Sequence, residues 1–213
     1  MTRLYAALAT VAVVALAVGG GLAVRGGSDD AFGDCRETTI AGGSAAIGGD
    51  FELISETGET VTDEEVLSRP SLVYFGYTFC PDVCPYDAAR NADAVDMLAE
   101  AGYDVQPVFV SVDPQRDTPE VLAEYTDYLH PDMLGLTGSP AQVRDAAQTY
   151  RAFYSVRDAD DPDFYLVDHS TFSYLMLPDH GFVELFRGAS GPGGDGVSAE
   201  EVAERAACFL QAG

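Results

Sequence analysis

The hydrophobic pattern after residue 50 alternates between short apolar runs and longer stretches of helical spacing. Residues 71–75 and 107–112 are nearly continuous apolar runs, which predict strands that are buried on both faces of a sheet. Residues 51–54 and 60–61 flank a turn at Gly58 and predict a hairpin. Three further strands are predicted at residues 164–167, 172–177 and 182–186.

Capping signals and helical spacing predict the helices. Apolar residues recur at helical spacing between residues 85 and 101. Thr62 and Glu65 form a capping box that opens a short helix, and Thr118 caps another. Ser139 opens a helix that is predicted to run to about residue 153, and Ser198 opens a last helix that ends near residue 210. Strands and helices in this order predict one α/β domain over residues 50–211, with a mixed sheet.

The N-terminal part of the chain has a different pattern. Residues 4–24 are uncharged and mostly apolar, and a helix needs about 20 such residues to cross a bilayer. We therefore predict a membrane anchor over residues 1–27. The alternative is a cleaved signal peptide with a small-x-small site near Ala17, but the apolar core of a signal peptide usually spans only about 7–15 residues. Residues 28–49 are rich in Gly, Ser, Ala and Thr and predict a flexible tether.

Composition excludes two classes of protein. The chain has 35 Asp and Glu residues against 11 Lys and Arg, a formal net charge of −24, and it contains no Lys. A nucleic-acid binder is excluded, because phosphate contacts need clustered cationic side chains. A disordered chain is also excluded, because 47% hydrophobic and 10% aromatic residues are enough to bury a core.

The predicted anchor also indicates a compartment. A single N-terminal anchor places the bulk of the chain on the exported side of the membrane. Because no Arg-rich transit peptide precedes it, a bacterium is favoured over an organelle. We expect a bacterial inner-membrane protein with its globular domain in the periplasm. That space is oxidising, so the four cysteines of the chain need an explanation.

Two cysteines lie at the junction of a predicted strand and a predicted helix, where residues 80–85 read CPDVCP. Unpaired N–H groups and the positive end of the helix dipole favour thiolates there, so the pKa values of Cys80 and Cys84 are expected to be lowered. Their spacing places both sulfurs on one face, where they can form a disulfide or bind a soft metal. A disulfide that only staples the turn is the alternative, but closing so short a loop stabilises little.

A metal site needs a third ligand, and the chain has three histidines. His130 is expected to be solvated at a helix end, and His180 to be exposed in a turn. His169 follows an apolar strand, and Asp168 and Ser170 flank it as candidate partners for its ring. Two thiolates and one imidazole suit copper as Cu(I) or Cu(II). Structural zinc is disfavoured, because it typically has four protein ligands.

Four blocks in order resemble the signatures of the Sco/SenC family. They are residues 74–85 (YFGYTFCPDVCP), 111–119 (SVDPQRDTP), 136–138 (LTG) and 165–170 (YLVDHS). The resemblance runs from about residue 49 to residue 186. It implies a thioredoxin-like fold, with a mixed central sheet flanked by helices, on an N-terminal membrane anchor.

The resemblance also implies a function. Members bind one copper through two Cys and one His, which here are Cys80, Cys84 and His169. They help to assemble the dinuclear copper site of cytochrome c oxidase, so the copper-site subunit of that oxidase is the expected partner. Other periplasmic copper or thiol proteins remain possible partners, because the family also includes thiol–disulfide reductases.

Several further residues have two interpretations each. Asp113 and Arg116 follow a predicted strand, where α/β sites tend to form, and either support the ligands or form an ion pair that fixes the loop. Asp168 is likewise a candidate support for His169. Met176 is a soft side chain, but it lies in an apolar strand and is predicted to be core.

The remaining cysteines, Cys35 and Cys208, lie outside these motifs. In an oxidising compartment we predict a disulfide between them that pins the tether to the last helix. The alternative is an inert buried thiol at Cys208 and a stray thiol at Cys35.

Three functions fit the sequence. The first is a copper metallochaperone that passes copper to a dithiol acceptor by ligand exchange. The second is a thiol–disulfide oxidoreductase in which Cys80 and Cys84 are the redox pair, Cys80 attacking a partner disulfide and Cys84 resolving the product. The third and weakest is a peroxidase of the thioredoxin superfamily, which nothing beyond the fold suggests. His169 distinguishes the first from the second, because only the chaperone requires it.

Overall fold

The computed structural model describes residues 31–36, 43–157, 164–188, 194 and 196–213. The predicted anchor and most of the predicted tether lie outside them. The chain divides into two compact units, Met1–Asp34 and Cys35–Gly213, and the described part of the first is a turn at residues 31–34. Among the described residues, none of the helices combines the length and the apolar character that a bilayer crossing requires.

The second unit contains nine strands and five α-helices among its described residues. A single 3-10 turn at Ser44–Ala46 precedes them. The strands are β1 (Glu52–Ser55), β2 (Thr60–Thr62), β3 (Ser71–Gly76), β4 (Gln106–Ser111), β5 (Leu134–Thr137), β6 (Tyr154–Arg157), β7 (Leu166–His169), β8 (Phe172–Leu177) and β9 (Gly181–Arg187). The helices are α1 (Asp63–Val66), α2 (Val83–Glu100), α3 (Pro119–Leu129), α4 (Pro140–Thr149) and α5 (Ala199–Ala212).

Seven of the strands form one mixed sheet in the order β2-β1-β5-β4-β3-β8-β9. The central strands β5, β4 and β3 are parallel, and the outer pairings are antiparallel. Every residue of β3 is buried, because helices cover the sheet and its apolar run leaves no polar face. The predicted mixed sheet and N-terminal hairpin are both confirmed.

The core of the unit is rich in aromatic side chains. The rings of Phe75, Tyr150 and Tyr174 meet with centroids 5.2 to 6.0 Å apart. Each such ring stabilises the fold by about 1.5–3 kcal/mol through burial alone. Met176 is 2% exposed, in agreement with its predicted place in the core.

The remaining two strands, β6 and β7, form a separate antiparallel ribbon, with Tyr154 opposite His169. We call this pair the His ribbon. The sequence did not predict β6, because its side chains are mostly exposed and show no apolar alternation. It also missed β5, whose four residues include a glycine. The strand predicted at residues 164–167 begins two residues later, at Leu166.

Two other expectations were wrong. The helix opened by Ser139 ends at Thr149 rather than near residue 153, and Arg151 adopts a left-handed backbone with φ 52° just after it. His130, expected to be solvated, is only 8% exposed. It follows the last turn of α3, where its Nε2 lies 3.2 Å from Asp96 Oδ1 and its Nδ1 accepts from the Asp132 N–H.

Candidate metal site

The site begins where the central strand β3 ends. Cys80 lies in the loop of residues 77–82, and Cys84 lies in the first turn of α2, which begins at Val83 rather than at the predicted position 85. The backbone N–H of Cys84 donates to Cys80 Sγ over 3.4 Å, as expected for an anionic sulfur beside unpaired helix N–H groups. The strand–helix junction therefore brings both sulfurs together.

His169 comes to the same place from the His ribbon. Its Nε2 lies 3.0 Å from Cys84 Sγ, and the donor atoms of Cys80, Cys84 and His169 all lie within 4.8 Å of one another. Cys84 is fully buried and Cys80 is 7% exposed, so Cys80 is the sulfur nearer to solvent. In the described part of the chain, no other set of three Cys, His, Asp or Glu side chains converges in this way.

The hydrogen bonds of His169 define which ring nitrogen is available. Its Nδ1 lies 3.0 Å from the carbonyl oxygen of Ser170, which can only accept, so Nδ1 carries the hydrogen. Nε2 is then the ring nitrogen that faces the sulfurs. A neutral imidazole held in this way by a carbonyl is the usual form of a metal-binding histidine.

The two thiols have opposite acidities. The pKa of Cys80 is lowered to about 4, mainly by the hydrogen bond from Cys84, with further help from His169 and the N–H groups of Asp82 and Cys84, against the cost of burial. The pKa of Cys84 is raised, first by burial and then by its contact with the negative Cys80. The expectation that both would be lowered is therefore wrong for Cys84, because burial outweighs the helix dipole. At neutral pH Cys80 is a thiolate and Cys84 a thiol.

Contacts outside the seven-stranded sheet hold the His ribbon against the loop of residues 77–82, which we call the cysteine loop. The N–H of Val167 donates to Tyr77 Oη over 3.3 Å. Tyr165 Oη donates to Asp113 Oδ1 over 2.5 Å, and Arg116 Nη1 donates to the Tyr165 carbonyl oxygen over 2.9 Å. These contacts join the ribbon to the loops that follow β3 and β4.

The predicted pair of Asp113 and Arg116 forms an ion pair, with Nε 2.5 Å from Oδ2 and side chains 3% and 11% exposed. The Arg116 guanidinium also stacks 3.7 Å from the centroid of the Tyr165 ring. Asp113 therefore supports the His ribbon through its contacts with Tyr165 and Arg116. The bond with Arg116 was one of its two predicted roles.

Asp168, the other candidate support, lies on the outer side of the ribbon. Both its oxygens contact the guanidinium of Arg157, at 2.6 and 2.5 Å. This hydrogen bond, more than any other contact, lowers the pKa of Asp168. The ring of His169 is instead oriented by the Ser170 carbonyl oxygen.

Sequence reasoning missed Asp117, which is fully buried and fixes the cysteine loop. Its carboxylate accepts from the Thr78 N–H at 3.1 Å, the Thr78 hydroxyl at 2.6 Å and the Ser111 hydroxyl at 2.6 Å. Burial raises its pKa, although these bonds oppose that shift. The available signal was its place beside Asp113 in the block that follows β4.

The other predicted residues lie outside the cluster. Cys35 and Cys208 form a disulfide that joins the start of the second unit to α5, with Cα atoms 5.6 Å apart. Cys80 and Cys84 are free thiols. His180 is exposed in the turn between β8 and β9, as expected.

The chain is similar to proteins of one known family. The SCO1/SenC family model matches residues 40–204. Protein SenC of Rhodobacter capsulatus is 53% identical over 209 residues, which cover 97% of this chain and 90% of that protein. The mitochondrial SCO1 homolog 1 of Arabidopsis thaliana is 46% identical over 145 residues, which cover 68% of this chain and 43% of that protein.

Solved structures show the same fold. The copper-bound crystal structure of Arabidopsis thaliana ScoI is 38% identical, with a TM-score of 0.70, and the match covers 78% of this chain and 99% of that one. The copper-bound structure of Bradyrhizobium japonicum ScoI is 34% identical, with a TM-score of 0.66, covering 78% of this chain and 100% of that one. The predicted thioredoxin-like fold is thereby confirmed.

Proposed function

The chain belongs to the SCO1/SenC family, and from this premise we propose that it is a copper metallochaperone which holds one copper ion on Cys80, Cys84 and His169. The observation that carries the proposal is the convergence of these three donor atoms within 4.8 Å. Metal bonds of about 2.0–2.3 Å to sulfur and imidazole nitrogen, as known for zinc, fit donors at this spacing. The copper-bound relatives of this fold support copper as the metal.

The chemistry of the donors suits a cargo that is bound and then released. Thiolate sulfur favours Cu(I), and imidazole also accepts Cu(II). Cys80 is already a thiolate, whereas Cys84 gives up its proton when copper binds. Cys80, 7% exposed against 0% for Cys84, is the cysteine nearer to solvent, where an acceptor thiolate can approach and replace it.

We propose that the acceptor is the copper-site subunit of cytochrome c oxidase. The proposed location is the bacterial inner membrane, where the anchor predicted over residues 1–27 and the tether over residues 28–49 hold the domain in the periplasm. The Cys35–Cys208 disulfide supports an oxidising compartment, because such bonds rarely persist in a reducing cytosol. Family membership supports the choice of acceptor.

A second candidate function is thiol–disulfide exchange, and the opposite acidities of the two thiols favour it. The Cys80 thiolate would attack a partner disulfide, forming a mixed disulfide and expelling one partner thiolate. Cys84, after losing its proton, would attack the Cys80 sulfur and expel the second partner thiolate. The chain would end with a Cys80–Cys84 disulfide, and the partner would gain two electrons.

Transfer to a defined acceptor separates the two functions. The full-length chain in detergent, reduced and loaded with one equivalent of Cu(I), is mixed with the reduced, metal-free copper-site domain of the oxidase. We expect copper to move to the acceptor from the wild type and from His180→Ala, a control histidine in an exposed turn. His169→Ala is expected to bind copper more weakly and to lose it without specific transfer.

Two results would contradict the chaperone. The first is a His169→Ala variant that loads and transfers copper like the wild type. The second is a wild type that delivers no copper but reduces the disulfide form of the same acceptor, which would favour the oxidoreductase.

A further inference from the structure

A surface groove runs beside the cysteine loop, between that loop and α3. Its volume is about 380 Å³, and we call it the α3 groove. Its lining residues are Thr78, Phe79, Val121, Glu124, Tyr125 and Tyr128. Phe79 directly precedes Cys80 in the chain, so one wall of the groove continues into the metal site.

Two aromatic side chains of the groove are exposed to solvent. Phe79 is 53% exposed and Tyr128 is 88% exposed. Large aromatic rings that lie open at a surface are typical of the residues that dominate protein interfaces. Their burial by a partner would remove apolar area from water.

The helix beside the groove is negatively charged. Glu124 lines the groove, Glu120 and Asp127 are also exposed on α3, and the helix contains no Lys or Arg. A partner with basic residues around an apolar side chain complements this surface, and opposite charges accelerate its association.

Copper transfer by ligand exchange requires an acceptor close to Cys80. In ligand exchange the acceptor thiolate must bond the copper while the donor sulfurs still hold it, so the acceptor covers the surface next to Cys80. We propose that the α3 groove is the docking surface for the copper-accepting domain, which inserts an apolar side chain flanked by Lys or Arg. This inference rests on the proposed function, because it assumes an acceptor for copper.

The test measures binding of the full-length chain to the metal-free copper-site domain of the oxidase, together with the copper affinity of each variant. Phe79→Ser and Tyr128→Ser are expected to weaken the complex by about tenfold or more, as hot-spot side chains do. Phe164→Ser is the matched control, because Phe164 is 84% exposed but lies outside the groove. Copper affinity of the Tyr128→Ser variant is expected to stay at the wild-type value.

The acidic residues of α3 allow a second, independent test of the docking surface. A Glu120→Gln, Glu124→Gln double variant is expected to associate more slowly and with a weaker dependence on salt. Glu204→Gln, an exposed carboxylate on α5, is expected to leave the association rate unchanged.

Three outcomes would overturn the docking surface. Wild-type affinity in the Phe79 and Tyr128 variants would do so while leaving the chaperone intact. A loss confined to Phe164→Ser would move the interface to the surface just before β7. A wild type that binds copper but never binds the acceptor domain would refute both the docking surface and the choice of acceptor.

Discussion

Tyr165 donates its phenolic hydrogen to Asp113, and this contact ties the chain just before β7, which carries His169, to the loop that follows β4. Burial, and then the bond to Asp113, raise the pKa of Tyr165 to about 12, so the hydroxyl keeps its hydrogen at neutral pH. The ribbon shares no strand pairing with the large sheet. The position of the imidazole therefore depends on side-chain contacts of this kind.

Removal of that hydroxyl is expected to act through His169. Tyr165→Phe should weaken copper binding by about tenfold, because a hydrogen bond to a charged group contributes about 1.5–3 kcal/mol. In a His169→Ala background the same change should have no further effect on copper affinity. The double-mutant cycle is measured by competition with a copper chelator.

Tyr150→Phe is the matched control for that cycle. The Tyr150 hydroxyl is also buried, but it has no hydrogen-bond partner among the described residues, so its loss should leave copper affinity unchanged. Additive effects of Tyr165→Phe and His169→Ala would show that Tyr165 does not position the histidine.

Copper binding should release one proton per chain near neutral pH. Cys80, with a pKa of about 4, is already deprotonated there, whereas Cys84, whose pKa is raised, must lose its proton to bind. Affinity should therefore rise with pH, by about a factor of ten per pH unit for one proton. Calorimetry in buffers of different ionisation enthalpy counts the protons. Release of two protons would contradict the assigned thiolate at Cys80.

Alkylation of the reduced, metal-free chain tests the same acidity without copper. The rate at Cys80 should stay high from neutral pH down to about pH 5 and fall only as the pH approaches its pKa of about 4. In Cys84→Ala the hydrogen bond that contributes most to the low pKa is absent, so the fall should move to higher pH. Mass spectrometry of peptides that contain Cys80 gives the rates, and an unchanged profile in Cys84→Ala would contradict the role of that bond.

Asp117 should matter for stability more than the predicted candidate Asp168. Asp117→Asn places an amide where three donors meet, and each donor left unpaired costs about 1–3 kcal/mol. Asp168→Asn removes only an exposed pair with Arg157 and should change the free energy of unfolding little. Urea unfolding of both variants makes the comparison. Equal effects would mean that Asp117 does not anchor the cysteine loop.

The Cys35–Cys208 disulfide should stabilise the fold without affecting the site. It closes a loop with a sequence separation of 173 residues. A Cys35→Ser, Cys208→Ser double variant should therefore lose about 3–5 kcal/mol of unfolding free energy. Copper affinity should not change, since the bond shares no residue with the metal site. A fall in copper affinity at temperatures where the variant remains folded would contradict that separation.

The sequence predicted the parts of the site that local chemistry determines. The strand before Cys80 and the helix after it follow from apolar runs, capping and spacing. The choice of His169 over His130 and His180 rests on its place after an apolar strand and on the resemblance of residues 165–170 to the family signature. The ribbon strand β6 was missed because its exposed residues show no period. The raised pKa of Cys84 was missed because its full burial depends on tertiary packing rather than on its place in a helix.

The sequence also did not reveal which residues contact one another across long separations in the chain. Asp117 gave no stronger signal than Asp113, and only the fold brings its carboxylate to Thr78, 39 residues away. For the same reason Asp168, next to His169 in sequence, looked like its partner. Strand alternation turns neighbouring side chains to opposite faces, and the Ser170 carbonyl oxygen holds the ring instead.

Two sulfurs and the imidazole of His169 are proposed to bind one copper ion. X-ray absorption at the copper edge of the Cu(I)-loaded full-length chain counts these neighbours, with His169→Ala and His180→Ala measured beside the wild type. We expect one copper per chain with two sulfur neighbours and one nitrogen neighbour, the nitrogen being lost only in His169→Ala. A wild-type site without a nitrogen neighbour, or an identical spectrum in His169→Ala, would rule out His169 as a copper ligand.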